Sequence, residues 1–236
     1  LFPGRNNFVK DLLKLEPKIT TIVQNIQSRD TSIVLGTKER VLYGKGFIID
    51  ELCGLKFKLS PRSFFQINPQ QTEKLYSIAM EFANLRTGNT VIDAYSGIGT
   101  IGMVASRTCG KVICVENNPD AVSDAKFNAK FNNITNINFY LDDSTKFIND
   151  LAKNKIKADC VILDPPRTGT TYNFISALAK MGVKRIVYVS CGPETLIRDL
   201  KMFKDFGYEI KNVKCVDMFS RTEHVESVVL ISRTEK

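Results

Sequence analysis

No run of this chain approaches the roughly 18 consecutive apolar residues of a membrane span, and no charged-then-apolar leader opens it. The six cysteines, at 53, 109, 114, 160, 191 and 215, show none of the short paired spacings of a zinc or iron–sulfur site. Histidine occurs once, at 224. These absences set aside membrane partners, metal and cluster chemistry, and any mechanism needing two imidazoles. A soluble globular protein of a reducing, cytoplasmic compartment is expected, with its cysteines free. Several of them stand in strand-like runs, such as Val112-Ile-Cys-Val115 and Ala158-Asp-Cys-Val161, where they read as core filler.

What is present is enough hydrophobic residue, 43% of 236, for a sizeable core: one large domain, or a domain with a smaller appendage. The net charge of +8 points to a polyanionic partner, nucleic acid before an acidic membrane surface. Residues 1–60 hold ten Lys/Arg against six Asp/Glu, so a quarter of the chain carries half of the excess. That part is the expected backbone-binding surface. The chain starts at Leu1, which reads as the beginning of a fragment.

Periodicity divides the chain in two. Phe8, Leu12 and Leu15 have helical spacing over 5–16, ahead of Pro17. Five short β runs follow, at 21–26, 32–35, 40–43, 47–49 and 55–59, too close together for crossover helices and therefore antiparallel. From Asn68-Pro69, a cap and a first helical residue, a helix is expected to about Leu85. Strands at 90–94, 111–116, 137–141, 158–163 and 185–190 then alternate with helices at 100–108, 119–132, 144–152, 172–181 and 193–205. Two β runs, 208–218 and 225–233, close the chain and suggest one antiparallel partner at the end. Regular alternation means an α/β fold with a parallel, doubly wound sheet.

Four sheet-edge segments carry chemistry. The first crossover reads Asp93-Ala-Tyr-Ser-Gly-Ile-Gly-Thr-Ile-Gly102, a Gly-x-Gly-x-x-Gly loop, with Glu116 ending the next strand. A dinucleotide would bring pyrophosphate to this turn, and Asp93 would repel it. A cationic amino-acid moiety suits the acid better, so S-adenosylmethionine is preferred to a nicotinamide cofactor, with Glu116 accepting from the ribose hydroxyls. Asp142 or Asp143, after strand 137–141, would reach the adenine amino group, and Asp143 is the better placed. Asp164-Pro-Pro-Arg167 holds a carboxylate at the sheet edge, without the following aromatic residue usual in amino-group methyltransferases. Last, strand 185–190 halts at Cys191, and Pro193 opens a helix whose positive end favours a thiolate while Glu194 opposes it.

A thiol facing a methyl donor and a carboxylate has a use in methylating a pyrimidine at C5. That carbon becomes nucleophilic only after a thiolate adds to C6. A base must then remove the C5 proton so that the cysteine leaves. Glu223, His224 and Glu226, between the last two strands, are the candidates.

Five ordered motifs carry a resemblance: Ser60-Pro-Arg-Ser-Phe-Phe-Gln-Ile-Asn68, Asp93-Ala-Tyr-Ser-Gly-Ile-Gly-Thr100, Asp164-Pro-Pro-Arg167, Ser190-Cys-Gly-Pro-Glu-Thr-Leu196 and Thr222-Glu-His-Val-Glu-Ser227. Over about residues 60–236 the chain resembles the RNA uracil-C5 methyltransferase family, of the type acting on 23S ribosomal RNA. The resemblance implies a Rossmann-like class I S-adenosylmethionine-dependent methyltransferase fold over 61–236. It implies that 1–60 is the later, β-rich part of a central RNA-binding region, and that an N-terminal barrel is missing. Cys191 would be the nucleophile and Glu226 the base. Gln66, Tyr95, Gly97, Gly99, Glu116, Asp143 and Asp164 would surround S-adenosylmethionine or the flipped uracil, and no metal is implied. Ser-Cys-Gly-Pro replaces the commoner Ser-Cys-Asn-Pro of the family. The expected partner is RNA, ribosomal first and transfer RNA second, with the target uridine extruded from its stack. Cytosine-C5 methylation is disfavoured, because no second cysteine follows Asp164-Pro-Pro. A noncatalytic RNA-binding fragment is the remaining alternative.

Overall fold

The structure is a computed structural model and describes residues 3–28 and 34–234. Its centre is a seven-stranded sheet. Strands β5 (Thr90–Ala94), β6 (Lys111–Glu116), β7 (Ile137–Leu141), β8 (Cys160–Leu163) and β9 (Arg185–Ser190) are parallel. With β10 (Tyr208–Val216) and β11 (Glu226–Arg233) they run in the order β10-β11-β9-β8-β5-β6-β7. The expected antiparallel strand is β11, and it is inserted between β9 and β10, which leaves β10 at the edge. The order reverses between β5 and β8. Open α/β sheets bind ligands at the carboxyl ends of the strands that flank such a reversal.

Each strand divides its side chains between two cores, because successive residues point to opposite faces. On one face Val91, Val112, Ile162, Val187 and Val228 pack with Leu75, Ala79 and Phe82 of α2 (Pro69–Ala83) and with α3 (Thr100–Ala105) and α4 (Pro119–Phe131). On the other, Ile92, Val115, Val161, Ile186 and Val229 meet Ile148 of α5 (Ser144–Lys153), Phe174 of α6 (Tyr172–Met181) and Phe203 of α7 (Pro193–Asp205).

Helix starts follow the capping chemistry of the sequence. The side chains of Asn68, Asn118, Asp143 and Thr171 accept first-turn amides of α2, α4, α5 and α6, and Pro follows the cap in α2 and α4. Helix α3 is shorter than its apolar pattern suggests. Ser106 Oγ and Thr108 Oγ1 take the carbonyls of Met103 and Ala105, at 2.7 and 3.2 Å, and the last turn unravels around these local bonds. The run expected at 32–35 is not a strand where it can be seen: Val34 and Leu35 lie in bends, and Ser32 and Ile33 fall outside the described residues.

The N-terminal part comprises α1 (Arg5–Leu15), an antiparallel ribbon of β1 (Thr21–Ile26) and β2 (Lys38–Gly44), and a hairpin of β3 (Ile48–Leu52) and β4 (Leu55–Leu59). Cys53 and Gly54 make the hairpin turn with φ of 53° and 67°, the two positive values that match strand twist. Leu52, Leu55 and Phe57 join the first core. The free edge of β4 is covered by two asparagines one turn apart, Asn128 on α4 and Asn132 at its C-cap. Asn128 accepts from the Lys58 amide at 2.7 Å and donates to its carbonyl at 3.2 Å; Asn132 does the same for Lys56 at 2.9 and 2.7 Å. Each amide side chain thus substitutes for a strand partner. Asn128 is fully buried, so Asn128→Ala strands a desolvated pair of backbone groups and should cost about 1–3 kcal/mol. Asn132 serves an exposed pair, and its loss should cost less than half as much. Urea unfolding of the two variants checks the ranking.

Candidate active site

The turn after β5 is shaped by glycine and by one buried acid. Gly97 and Gly99 sit at φ of 53° and 81°, and Tyr95, at 64°, occupies the same left-handed region at a steric cost. A Cβ on Gly99 would stand 2.8 Å from the Phe139 ring, so only glycine fits. Asp93 is 1% exposed. Its Oδ2 accepts the Gly102 amide at 2.8 Å, while Oδ1 is buried with no partner, as is Ser96 Oγ. Burial, with Glu116 adding, pushes the Asp93 carboxyl up to about 7 against the opposing Gly102 hydrogen bond. Glu116 accepts from Gly97 N at 2.9 Å through one oxygen and from Asn118 N at 2.8 Å through the other.

Cys191 and Glu226 meet at one end of the sheet. Ser190 of β9 faces Ser227 of β11. Cys191 follows Ser190 and Glu226 precedes Ser227, so the end of this antiparallel ladder brings thiol and carboxyl to one sheet edge, where both line the same cavity and the Glu226 charge acts on the thiol. Glu226 is 4% exposed, and burial raises its carboxyl above the usual range while Arg167 opposes. The Cys191 thiol is partly buried; burial pushes it up, and the Glu226 and Asp164 charges add to that, with Arg167 pulling it down. Asp164, one residue past β8, is pushed up to about 8 by burial, then by Glu226 and Asp93.

A cavity of about 380 Å³ lies over the β5/β8 reversal and is lined by six of the sequence-expected residues: Gln66, Tyr95, Gly97, Asp164, Cys191 and Glu226. The other three do not line it. Gly99 is packed behind the turn, Glu116 stands behind Gly97, and Asp143 is exposed and caps α5, accepting from Lys146 N at 2.8 Å. Of the alternatives to Glu226, Glu223 is exposed and neither it nor His224 lines the cavity; the imidazole meets the Phe219 ring edge-on, with ring centres 6.4 Å apart.

Sequence reasoning missed Tyr76, which also lines the cavity, 2% exposed, with its hydroxyl 2.8 Å from Thr100 Oγ1. On an amphipathic helix it reads as core, and only the fold turns it toward the site. Arg167 appeared in the sequence as a departure from a pattern; in space it is the cation that offsets the acids around Cys191. Among the described residues no cluster of three or more His, Cys, Asp or Glu is placed to hold a metal, and no helix is long and apolar enough to cross a membrane.

Known proteins resemble this chain in sequence and fold. An uncharacterised RNA methyltransferase from Oceanobacillus iheyensis is 43% identical over 227 residues, 96% of this chain and 50% of the relative. Another, from Caldanaerobacter subterraneus, is 44% identical over 231 residues, 98% of this chain and 51% of the relative. The chain spans about half the length of the curated relatives it matches. Among solved structures, the Pyrococcus abyssi tRNA (uracil-54, C5)-methyltransferase in complex with S-adenosyl-L-homocysteine superposes with a TM-score of 0.75 at 30% identity, over 91% of this chain and 50% of that one. The M. jannaschii tRNA m1G37 methyltransferase shares the fold alone, with a TM-score of 0.64 at 16% identity over the whole chain and 70% of its own. These neighbours make the fold that of class I S-adenosylmethionine-dependent methyltransferases. The profile of the tRNA (uracil-5-)-methyltransferase family spans residues 18–234, nearly all of the sheet and site just described, and to that family the chain belongs.

Proposed function

We propose that this chain carries the catalytic site of an S-adenosylmethionine-dependent RNA uracil-C5 methyltransferase, with Cys191 as nucleophile and Glu226 as base. The observation that supports it best is the β9/β11 register, whose end brings a thiol and a buried carboxyl together beside Asp164 and Arg167. The residues present also fit the donor. Asp93 Oδ1 and Ser96 Oγ are buried acceptors without partners beside the same cavity, as a cationic amino-acid group requires. Gln66, Tyr95, Gly97 and Asp164 would hold S-adenosylmethionine or the uracil from the cavity wall. Gly99 and Glu116 would shape and brace the loop, and Asp143 would meet the adenine from the rim.

S-adenosylmethionine would supply an electrophilic methyl group. The Cys191 thiolate adds to C6 of the extruded uracil and makes C5 nucleophilic; after C5 is methylated, Glu226 takes the C5 proton and the Cys191 sulfur leaves. Ribosomal RNA, of the 23S kind, is the substrate first proposed. A second reading, transfer RNA, is favoured by the 30% identity to the Pyrococcus tRNA enzyme. A cytoplasmic location goes with either.

Three outcomes follow. RNA containing 5-fluorouracil, which cannot lose its C5 substituent as a proton, should accumulate a covalent adduct with the chain in the presence of S-adenosylmethionine. Cys191→Ala should abolish that band on a denaturing gel, and an adduct surviving the substitution would overturn the nucleophile. Glu226→Gln should let adduct build up on ordinary RNA and cut turnover by about 10²–10⁴; unchanged turnover would take Glu226 out of the base role. Because Asp93 and Asp164 are raised to about 7 and 8, a cationic donor should favour their charged forms, expel protons on binding near pH 6, and bind more tightly as pH rises from about 6 to about 7.5, where the donor's α-ammonium group is still charged. Calorimetry in buffers of different ionisation enthalpy reads the protons directly; binding without proton release near pH 6 would sink that assignment.

A further inference from the structure

The loop from Asp164 to Thr171 is held to helix α7 by a polar network, buried at Asp199 and open to solvent at Arg198, that the reaction scheme above does not use. Asp199 is fully buried on α7. Its Oδ2 accepts the Tyr188 hydroxyl and the Thr170 amide, both at 2.7 Å, and its Oδ1 accepts Arg198 Nε and Nη2 at 2.8 and 2.7 Å. The same Nη2 donates to the carbonyls of Thr168 and Thr170, at 2.8 and 3.1 Å. Between those two residues Gly169, at φ 73°, comes so close that a Cβ would stand 2.5 Å from Asp199 Oδ2 and 2.6 Å from Arg198 Nη2. Nearer the nucleophile, Thr195 Oγ1 donates to the Arg167 carbonyl at 3.0 Å and lies 3.1 Å from the Gly192 carbonyl. Thr170 Oγ1 extends the chain of contacts to the Tyr95 hydroxyl, 2.9 Å away in the donor loop.

Stability alone does not call for this arrangement. An ion pair whose arginine is half exposed contributes little to stability, whereas its planar, many-bonded guanidinium fixes one geometry. What it fixes here is the segment bearing Asp164 and Arg167, and it fixes it to the helix whose first turn follows Cys191. Building on the reading of Cys191 as nucleophile, we propose that Thr195, Arg198 and Asp199 are positioning residues that clamp this loop to α7 and set where the Arg167 charge stands relative to the thiol. The charged groups facing Cys191 are Glu226 from β11, Asp164 and Arg167 from the loop, and Glu194 from the first turn of its own helix. Arg167 is the one cation among them, and its position is the one the clamp controls.

Alkylation of Cys191 by iodoacetamide, followed by mass spectrometry of its peptide across pH, reads the thiol without RNA or donor. Thr195→Val removes the hydroxyl and keeps the shape; its profile should move to higher pH, with about threefold slower alkylation at neutral pH. Thr195→Ser, which keeps the hydroxyl, should restore the parental profile. Arg198→Lys cannot reach Thr168, Thr170 and Asp199 together from one planar group and should move the profile in the same direction. A Thr195→Val profile superimposable on the parent's, or a Ser variant that behaves like the Val one, overturns the clamp and leaves the nucleophile reading standing. A fluorouracil adduct that survives Cys191→Ala removes the nucleophile instead, so the two failures are told apart.

Discussion

The pairing of β11 with β9 is the constraint on which the rest of the site depends. Inserting an antiparallel strand beside the last parallel one lets a residue late in the chain stand beside the end of β9. The cross-strand bond pattern is periodic, so a one-residue slip would turn Glu226 to the opposite face of the sheet and leave Cys191 without it. The register is held by the apolar alternation of both strands. Val187, Val189 and Val228 face one core, and Ile186, Tyr188, Val229 and Ile231 the other, all of them buried. Burial of side chains far from the cysteine therefore positions the reactive groups. Edge strand β10 protects that arrangement by pairing with the outer side of β11 along nearly its full length.

Much of this was legible in the sequence, for a physical reason. Parallel strands buried on both faces read as continuous apolar runs, and helices between them announce themselves by caps and by a 3.6-residue period, so β5 to β9 and α2 to α7 are found where the pattern puts them. Residues at the carboxyl ends of those strands, Asp93, Asp164 and Cys191, inherit their positions from the fold. Other features have no local signature. The place of β11 in the sheet is a long-range pairing, Tyr76 is disguised as a core residue of α2, and the Asn128 and Asn132 bridges look like ordinary polar positions on α4 and at its C-cap. The apolar run at 32–35 misleads for the opposite reason. β propensity describes a half-buried pleated surface, and Val34, 84% exposed, lies on none.

The electrostatics of the site then answer a question that helix geometry leaves open. A helix N-terminus next to Cys191 favours the thiolate and Glu194 opposes it. The structure adds larger contributions of both signs. Burial and the carboxyls of Glu226 and Asp164 hold the thiol in its protonated form, and Arg167 is the counterweight. Such a balance disfavours a free thiolate, and with it oxidation and adventitious alkylation. It also makes the thiol responsive to added charge. A cationic ligand would stabilise ionised Asp93 and Asp164, and its own charge would favour the thiolate beside them. In the proposed reaction, activation of Cys191 therefore belongs to the assembled group of charges, Arg167 included, and not to the cysteine alone.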